Sequence, residues 1–162
     1  METAYFHSPL GPIEINAGDE GITSVSFVEN IPENHTNPPS LSTSISQLGE
    51  YFSGKRKEFS VPLALGGTPF QKQVWQELQS IPFGEKRSYL DIALKLGDKN
   101  ATRAVGAANG KNPIAIIIPC HRVIGEDGKL TGYAGGLWRK EWLLDFESPK
   151  KQGELFDPLK SA

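Results

Sequence analysis

The sequence predicts an α/β protein of the α+β type, in which a small antiparallel sheet-and-helix domain precedes a mostly helical domain. In the first thirty residues, short apolar runs alternate with turns rich in Gly and Pro, a pattern typical of antiparallel strands. From residue 68 onward, apolar residues recur at helical spacing behind capping residues. Residues 60–68 contain a proline and two adjacent glycines, as linkers often do. We therefore expect domains at residues 1–67 and 68–147, followed by a flexible tail at residues 148–162.

The first domain is expected to contain two or three strands closed by one helix. The strands centre on Tyr5, Ile13 and Val25, with glycine-containing turns between them. Residues 29–40 are polar and hold three prolines, which predicts a loop. From Leu41 to Phe52 the apolar residues recur at helical spacing, so a helix should follow that loop.

The second domain is expected to begin with three short helices. Thr68 and Gln71 form a capping box for the first helix, and Ser88 and Asp91 offer a comparable pair to the second. Gly97 should end the second helix, and a third apolar stripe follows closely. Two short helices joined by a tight turn with glycine have the outline of a helix-turn-helix.

The third of these helices, at residues 101–110, is almost free of bulky side chains. Arg103 is the only long side chain within it. Small side chains allow a helix backbone to lie close to another surface. That surface is either a nucleic acid or a neighbouring helix, and the pattern leaves both open.

Composition and charge exclude several classes of protein. The longest apolar run has five residues and the N-terminus lacks the features of a signal peptide, so no membrane span and a cytoplasmic location are expected. A single cysteine excludes an internal disulfide, and the three histidines lack metal-ligand spacing, so no metal is expected. Residues 1–67 carry three Lys or Arg against eight Asp or Glu, whereas residues 68–147 carry eleven against nine. The second domain is therefore free to approach phosphates despite the net charge of −2.

The only cysteine, Cys120, follows a β-branched run at residues 114–118 that predicts a buried strand. Pro119 stops that strand, and a strand end is a common place for a nucleophile. A thiol reacts as the thiolate, which a neighbouring base favours. His121 is adjacent, but a contact needs the irregular backbone that Pro119 can supply, because neighbours on an extended chain point to opposite sides. A buried structural cysteine is the alternative interpretation.

A glycine-rich loop at residues 132–136 precedes a last helix that should end at Glu147. Glycines allow backbone N–H groups to come close to a ligand. The helix dipole disfavours a carboxylate at a C-terminus, so Glu147 at that position indicates a partner. His121 is the candidate.

These segments together resemble the O6-alkylguanine-DNA alkyltransferases, also called methylated-DNA–protein-cysteine methyltransferases. The matching motifs occur in family order and spacing and are Thr68-Pro69-Phe70-Gln71, Ile81-Pro82-Phe83-Gly84, Ser88-Tyr89, Arg103-Ala104-Val105-Gly106, Asn112-Pro113, Ile118-Pro119-Cys120-His121-Arg122-Val123 and Gly132-Tyr133-Ala134-Gly135-Gly136. They cover residues 68–147 almost continuously. The resemblance implies a ribonuclease H-like first domain and a winged helix-like second domain that contains the helix-turn-helix.

The resemblance implies a role for each matching residue around the cysteine. Cys120 would be the alkyl acceptor, with His121 as its base through a bridging water. Glu147 would hold the imidazole in the correct tautomer, and Asn112 would tie the same hydrogen-bond network to the turn that carries the cysteine. No cofactor is implied.

Other matching positions are implied to bind DNA or the damaged base. They are Tyr89, Arg103, Ala104, Gly106, Val123 and Ala134. Tyr89 would crowd a phosphate so that the nucleotide rotates out, and would donate a proton or hydrogen bond to the departing guanine. Arg103 would fill the hole left in the base stack. The Val123 carbonyl and the Ala134 N–H would hold the base edge, although some family members carry serine at the position of Ala134.

The implied partner is double-stranded DNA that contains O6-alkylguanine, bound through its minor groove by a monomer. The extruded base would lose its alkyl group to the thiolate, because O6 of a stacked, paired guanine lies out of reach. Each molecule would act once, since the thioether is stable, and O4-alkylthymine would be a secondary substrate. In a bacterium the protein would then associate with the nucleoid.

The tail suggests a separate partner. Gln152, Leu155 and Phe156 resemble the short peptide by which bacterial repair proteins dock on the sliding clamp. An inert solvated tail is the alternative interpretation.

Three other functions are alternatives to alkyl transfer. A cysteine hydrolase built on Cys120, His121 and Glu147 would leave Tyr89 and Arg103 without a purpose. A non-catalytic protein that binds alkylated DNA would not need the acceptor cysteine. A helix-turn-helix regulator would need neither the thiol nor the first domain.

Overall fold

A computed structural model of the chain describes residues 1–155, which form two compact units. One unit comprises Met1–Gly66 together with Pro113–Ile117, and the other comprises Gly67–Asn112 and the described residues from Ile118 onward. The sequence placed Pro113–Ile117 in the second domain, whereas the contacts of this segment group it with the first unit. The segment pairs with the sheet of the first unit: the Val25 N–H donates to the Pro113 carbonyl at 2.9 Å, and the Val25 carbonyl accepts from the Ala115 N–H at 3.0 Å.

The first unit contains a three-stranded antiparallel sheet in chain order. Its strands are β1 (Glu2–Ser8), β2 (Gly11–Gly18) and β3 (Gly21–Phe27). The register places Ala4 opposite Ile15 and Ile15 opposite Val25, and all three side chains are buried. The alternation of buried and exposed residues expected for half-buried strands is therefore present.

A short 3-10 helix (Pro39–Leu41) and the helix α1 (Ser42–Phe52) complete the first unit. Leu48 and Tyr51 of α1 are fully buried, and Phe52 stacks on Phe6 of β1 with ring centroids 6.0 Å apart. Burial of these side chains against the sheet stabilises a unit that is small for a single hydrophobic core.

The second unit is mostly helical, so the predicted fold class is confirmed. Its elements are α2 (Pro69–Gln79), β4 (Arg87–Ser88), α3 (Tyr89–Lys95), a 3-10 helix (Lys99–Ala101), α4 (Thr102–Gly110), a 3-10 helix (Cys120–Arg122), β5 (Val123–Ile124), α5 (Leu137–Glu147) and α6 (Pro149–Leu155). The strands β4 and β5 pair in parallel. In the described part of the chain no helix is long and apolar enough to cross a membrane.

Both predicted capping boxes are present. The Thr68 hydroxyl accepts from the Gln71 N–H at the start of α2, and the Ser88 hydroxyl accepts from the Asp91 N–H at the start of α3. In each helix the third residue returns a side-chain bond to the backbone of the cap. The cap of α3 places Tyr89 at the first helical position.

The strand predicted at residues 114–118 is wrong. Only Ile114 makes a bridge, to Val25, and the next residues turn, with Ile116 at a φ of 71°. Ile114, Ile116 and Ile118 are nonetheless buried. The β-branched run therefore indicated burial correctly but not extended structure.

The sequence predicted a flexible tail from residue 148, whereas in the structure Pro149–Leu155 form the helix α6. Pro149 suits the first helical position, and the Ser148 hydroxyl accepts from the Lys151 N–H at 3.2 Å. The buried Gln152 side chain donates to the Phe146 carbonyl at 2.7 Å, which joins α6 to the end of α5.

Candidate active site

Cys120 begins a single 3-10 turn directly after Pro119. Its N–H donates to the Ile118 carbonyl at 2.8 Å, and the residue is 7% exposed. The backbone here is irregular, as expected from Pro119, so Cys120 and His121 are not held on opposite sides of a strand. The turn also contains Arg122, and the three side chains are buried together.

Two groups oppose the effect of burial on the thiol. Burial raises the pKa of Cys120, while a hydrogen bond from the Asn112 side chain and the positive charge of Lys140 lower it. Asn112 also donates from Nδ2 to the Ile118 carbonyl at 2.8 Å. Asn112 is thereby bonded both to the cysteine and to the turn that presents it.

Glu147 lies at the centre of a buried cluster with His121 and Arg122. Its Oε2 is 2.8 Å from His121 Nε2 and 3.0 Å from Arg122 Nη2, and its Oε1 accepts from Arg122 Nε at 2.8 Å. Burial alone would raise the pKa of Glu147. His121, which is hydrogen-bonded to the carboxyl, and the Arg122 guanidinium instead hold the pKa of Glu147 well below its usual range. The carboxylate is therefore ionised and acts only as an acceptor.

The ionised carboxylate fixes the tautomer of His121. Since Glu147 can only accept, the imidazole donates through Nε2 and keeps Nδ1 as its basic nitrogen. Nδ1 is buried and has no hydrogen-bond partner among residues 1–155. A buried imidazole with one oriented N–H and one free basic nitrogen is the arrangement of a general base.

Lys140 was not identified from the sequence. It is fully buried, and its Nζ donates to the carbonyls of Thr131 at 2.7 Å and Gly132 at 3.5 Å. Burial lowers the pKa of Lys140 to about 8, and the neighbouring Cys120 acts in the opposite direction. The sequence could have indicated that Lys140 is buried, because Lys140 and Glu147 are seven residues apart on one helix and so share its buried face.

Arg122 belongs to the Cys120 motif, and the family resemblance implied no role for it. Its Nη1 donates to the Ile81 carbonyl at 2.7 Å, in addition to its two bonds to Glu147. A buried arginine needs such partners, so Arg122 holds the Cys120 turn against the chain after α2.

A cavity of about 580 Å³ lies between α3, α4 and the glycine-rich loop. Its lining includes four residues predicted to bind the base or DNA, namely Tyr89, Arg103, Gly106 and Ala134. The Tyr89 and Thr131 hydroxyls share a hydrogen bond of 2.7 Å. The other two predicted contacts are not among the described residues that line this cavity. Ala104 is exposed on α4, and Val123 is fully buried in β5.

The predicted clamp-binding peptide is not presented as an extended segment. Gln152 is buried in α6 with its side-chain amide bonded to Phe146, so docking would require α6 to unwind. Leu155 ends α6, and Phe156 lies outside the described residues. The clamp interaction stays a prediction.

The described residues contain no group of three or more His, Cys, Asp or Glu side chains that could hold a metal ion. The polar groups buried in this site are the Cys120 thiol, the His121 imidazole and the Glu147 carboxylate, with the cations of Arg122 and Lys140 beside them.

Both units match known protein families. Residues 1–65 match the ribonuclease-like domain of 6-O-methylguanine DNA methyltransferase, and residues 69–149 match its DNA binding domain. The methylated-DNA–protein-cysteine methyltransferase of Methanosarcina acetivorans is 49% identical over 91% of this chain and 98% of its own. That of Mycolicibacterium paratuberculosis is 48% identical over 86% of this chain and 88% of its own.

Solved structures agree with these matches. The crystal structure of Mycobacterium tuberculosis OGT in complex with DNA has a TM-score of 0.80 and 48% identity, covering 94% of this chain and 99% of that one. The O6-methylguanine DNA methyltransferase of Methanococcus jannaschii has a TM-score of 0.62 and 26% identity, covering 85% and 89%.

Proposed function

We propose, from the premise that this chain belongs to the methylated-DNA–protein-cysteine methyltransferase family, that Cys120 receives an alkyl group from O6-alkylguanine in DNA. The family transfers a methyl group from DNA to a protein cysteine, and this chain has one cysteine. The observation that carries the proposal is the position of that cysteine beside an imidazole whose tautomer Glu147 fixes.

The transfer is a displacement at the alkyl carbon. His121 takes the thiol proton at Nδ1 through a bridging water, and Glu147 stabilises the imidazolium that forms. The thiolate then forms a C–S bond while the bond between O6 and the alkyl carbon breaks, and its electron pair leaves with guanine. Asn112 and the cation of Lys140 favour the thiolate against the effect of burial.

The base must leave the duplex before it can react. Extrusion brings O6 to a buried thiolate, and the cavity beside Tyr89 and Arg103 is the proposed place for the base. The helix α4 would lie in the minor groove, with Arg103 in the vacated stack and Ala104 against the backbone. Tyr89 would donate to the departing guanine while the Val123 carbonyl and the Ala134 N–H hold its edge.

Each molecule would act once and as a monomer. The product is a thioether, and no second nucleophile in this proposal displaces it, so the alkyl group stays on Cys120. O4-alkylthymine, which carries its alkyl group on a similar exocyclic oxygen, would be a secondary substrate.

The test is the mass of the Cys120 peptide after reaction with a duplex that contains one O6-methylguanine. We expect one methyl group per protein molecule on Cys120, and no further transfer in excess DNA. Cys120→Ser is the control and should gain none. Repeated turnover, or a methyl group on another residue, would contradict the proposal.

A further inference from the structure

The Tyr89 hydroxyl has a partner within the protein, the hydroxyl of Thr131. The two oxygens are 2.7 Å apart and either one can be the donor. Thr131 directly precedes the glycine-rich loop and is 42 positions from Tyr89 in the chain, so only the fold brings these hydroxyls together. The proposed transfer gives Tyr89 a role and leaves Thr131 without one.

The backbone of Thr131 is held from the interior of the second unit, although the residue itself is exposed. The fully buried Lys140 donates from Nζ to the Thr131 carbonyl at 2.7 Å and to the Gly132 carbonyl at 3.5 Å. The same ammonium lies 6.0 Å from the centroid of the Tyr89 ring. Thr131 therefore presents its hydroxyl to Tyr89 from a fixed backbone.

Stability alone does not account for this hydrogen bond. It lies at the surface, where water offers both hydroxyls equivalent partners, so its net contribution to folding is small. Its effect on direction is larger, because a phenol that is held by a second hydroxyl cannot rotate freely. A reacting group gains rate from such restriction when the held orientation is the productive one.

The single proton of the phenol determines which hydroxyl donates during the reaction. In the proposed transfer, Tyr89 donates this proton in a hydrogen bond to the departing guanine. Its oxygen can then only accept from Thr131, whose hydroxyl has a proton of its own that rotates to suit the partner. The hydrogen bonds then run in one direction, from Thr131 to Tyr89 and from Tyr89 to guanine.

That direction suits the charge that develops in the transfer. Negative charge moves onto guanine as the bond between O6 and the alkyl carbon breaks. Hydrogen-bond donors that are already oriented toward developing charge lower the barrier. A phenol that accepts a hydrogen bond is also a stronger donor, because consecutive hydrogen bonds polarise one another.

We propose that Thr131 is a positioning residue whose hydroxyl donates to Tyr89 and thereby orients and strengthens the hydrogen bond from Tyr89 to the departing guanine. Thr131 acts through Tyr89 and does not touch the base. The inference rests on the proposed function, because it depends on Tyr89 as the donor to the leaving group.

The first experiment measures single-turnover rate constants for methylation of Cys120 by a saturating duplex that contains O6-methylguanine. Thr131→Val keeps the shape of the side chain and removes the hydroxyl, so it should react roughly tenfold more slowly, as the loss of one hydrogen bond allows. Thr131→Ser keeps the hydroxyl and should react within about twofold of the native rate. The dissociation constant for the duplex should be unchanged in both variants.

A double-mutant cycle with Tyr89→Phe assigns the effect to the pair of hydroxyls. Tyr89→Phe alone should be slow, because it removes the donor to guanine. Adding Thr131→Val to Tyr89→Phe should change the rate by less than about twofold, since the hydrogen bond between them is already absent.

Methyl iodide separates help to the leaving group from a change at the thiol. Iodide leaves without a hydrogen-bond donor, so Thr131→Val should methylate at Cys120 with this reagent as fast as the native chain. A purely structural role, in which Thr131 only holds the loop beside the Cys120 turn, would slow both reactions. If Thr131→Val does not fold, Thr131→Ala tests the same loss.

The outcomes separate this inference from the proposed function. A native rate in Thr131→Val, a slow Thr131→Ser, a further loss in the Tyr89→Phe background or an equal loss with methyl iodide would each overturn the role of Thr131 while alkyl transfer stands. No methylation of Cys120 by O6-methylguanine in the native chain would overturn both.

Discussion

Glu147 accepts hydrogen bonds from two neighbouring side chains of one turn, and both depend on its charge. His121 needs the carboxylate for its tautomer, and Arg122 needs it as the anionic partner of a buried guanidinium. Removing one partner of a buried ion pair costs about 3–5 kcal/mol, because the remaining charge is left unpaired. Glu147 therefore contributes both to reactivity and to stability, and the two effects can be separated.

Glu147→Gln is expected to slow methylation of Cys120 by roughly 10² to 10⁴. An amide can donate to His121 Nε2 and thereby favour the wrong tautomer, so Nδ1 no longer takes the thiol proton. The rate is measured with saturating DNA on protein whose folding is checked by circular dichroism. Glu141→Gln, on an exposed position of the same helix, is the control and should react normally. A folded Glu147→Gln that reacts at the native rate would show that His121 is not the base.

The first turn of a short helix determines where its side chains lie. The cap of α3 fixes the position of Tyr89 at the start of that helix. A Cβ atom added at Gly106 of α4 would lie 3.8 Å from the Tyr89 ring, so the ring packs against α4 where that helix has no side chain. The position of Tyr89 therefore depends on the Ser88 cap of its own helix and on Gly106 of α4.

Ser88→Ala and Thr68→Ala should each lower the free energy of unfolding by about 1 kcal/mol. Only Ser88→Ala should also slow methylation, by roughly tenfold, because only α3 begins with a residue placed in the base cavity. Urea unfolding gives the stabilities, and single-turnover rates give the reactivities. Equal reactivity of the two variants would mean that the cap of α3 does not position Tyr89.

The contrast between these helices and the segment before Cys120 shows what the sequence can predict. Capping boxes are local, since four consecutive residues determine them, and both were predicted correctly. The conformation of Ile116 depends instead on distant pairing with β3. A β-branched residue disfavours its φ of 71°, so its own sequence gives no sign of that turn. The helix α6 was missed although its Ser148-Pro149 start is local.

The residues of the candidate site also divide into those that the sequence identifies and those that only tertiary contacts identify. Cys120 and His121 are adjacent, and Glu147 was found from its position at a helix end, so all three could be predicted. Lys140 owes its significance to tertiary contacts with the carbonyls of Thr131 and Gly132. A buried lysine looks like a surface residue in a sequence, because charged side chains are usually exposed.

At the scale of the whole molecule, stability at alkaline pH depends on buried groups whose pKa shifts have opposite effects on the free energy of unfolding. Burial lowers the pKa of Lys140 to about 8, so the unfolded chain holds more protons between pH 8 and 10.5 and stability rises there with pH. Burial raises the pKa values of Cys120 and Tyr133, which lowers stability as the unfolded chain ionises first. Only a difference between variants isolates one of these contributions.

Lys140→Met should therefore gain stability relative to the native chain at pH 7 and lose about half of that relative gain by pH 9.5. At pH 7 the native protein buries a charged ammonium, whereas at pH 9.5 the folded form is mostly neutral. The difference between the two proteins should change by about 1 kcal/mol, which allows for partial solvent screening of the shift. Tryptophan fluorescence during urea unfolding is a suitable signal, because Trp75, Trp138 and Trp142 all lie in the second unit with Lys140. Lys129→Met, whose side chain is 81% exposed, should show no such change. A difference for Lys140→Met that is constant with pH would mean that the ammonium is not desolvated in the folded protein.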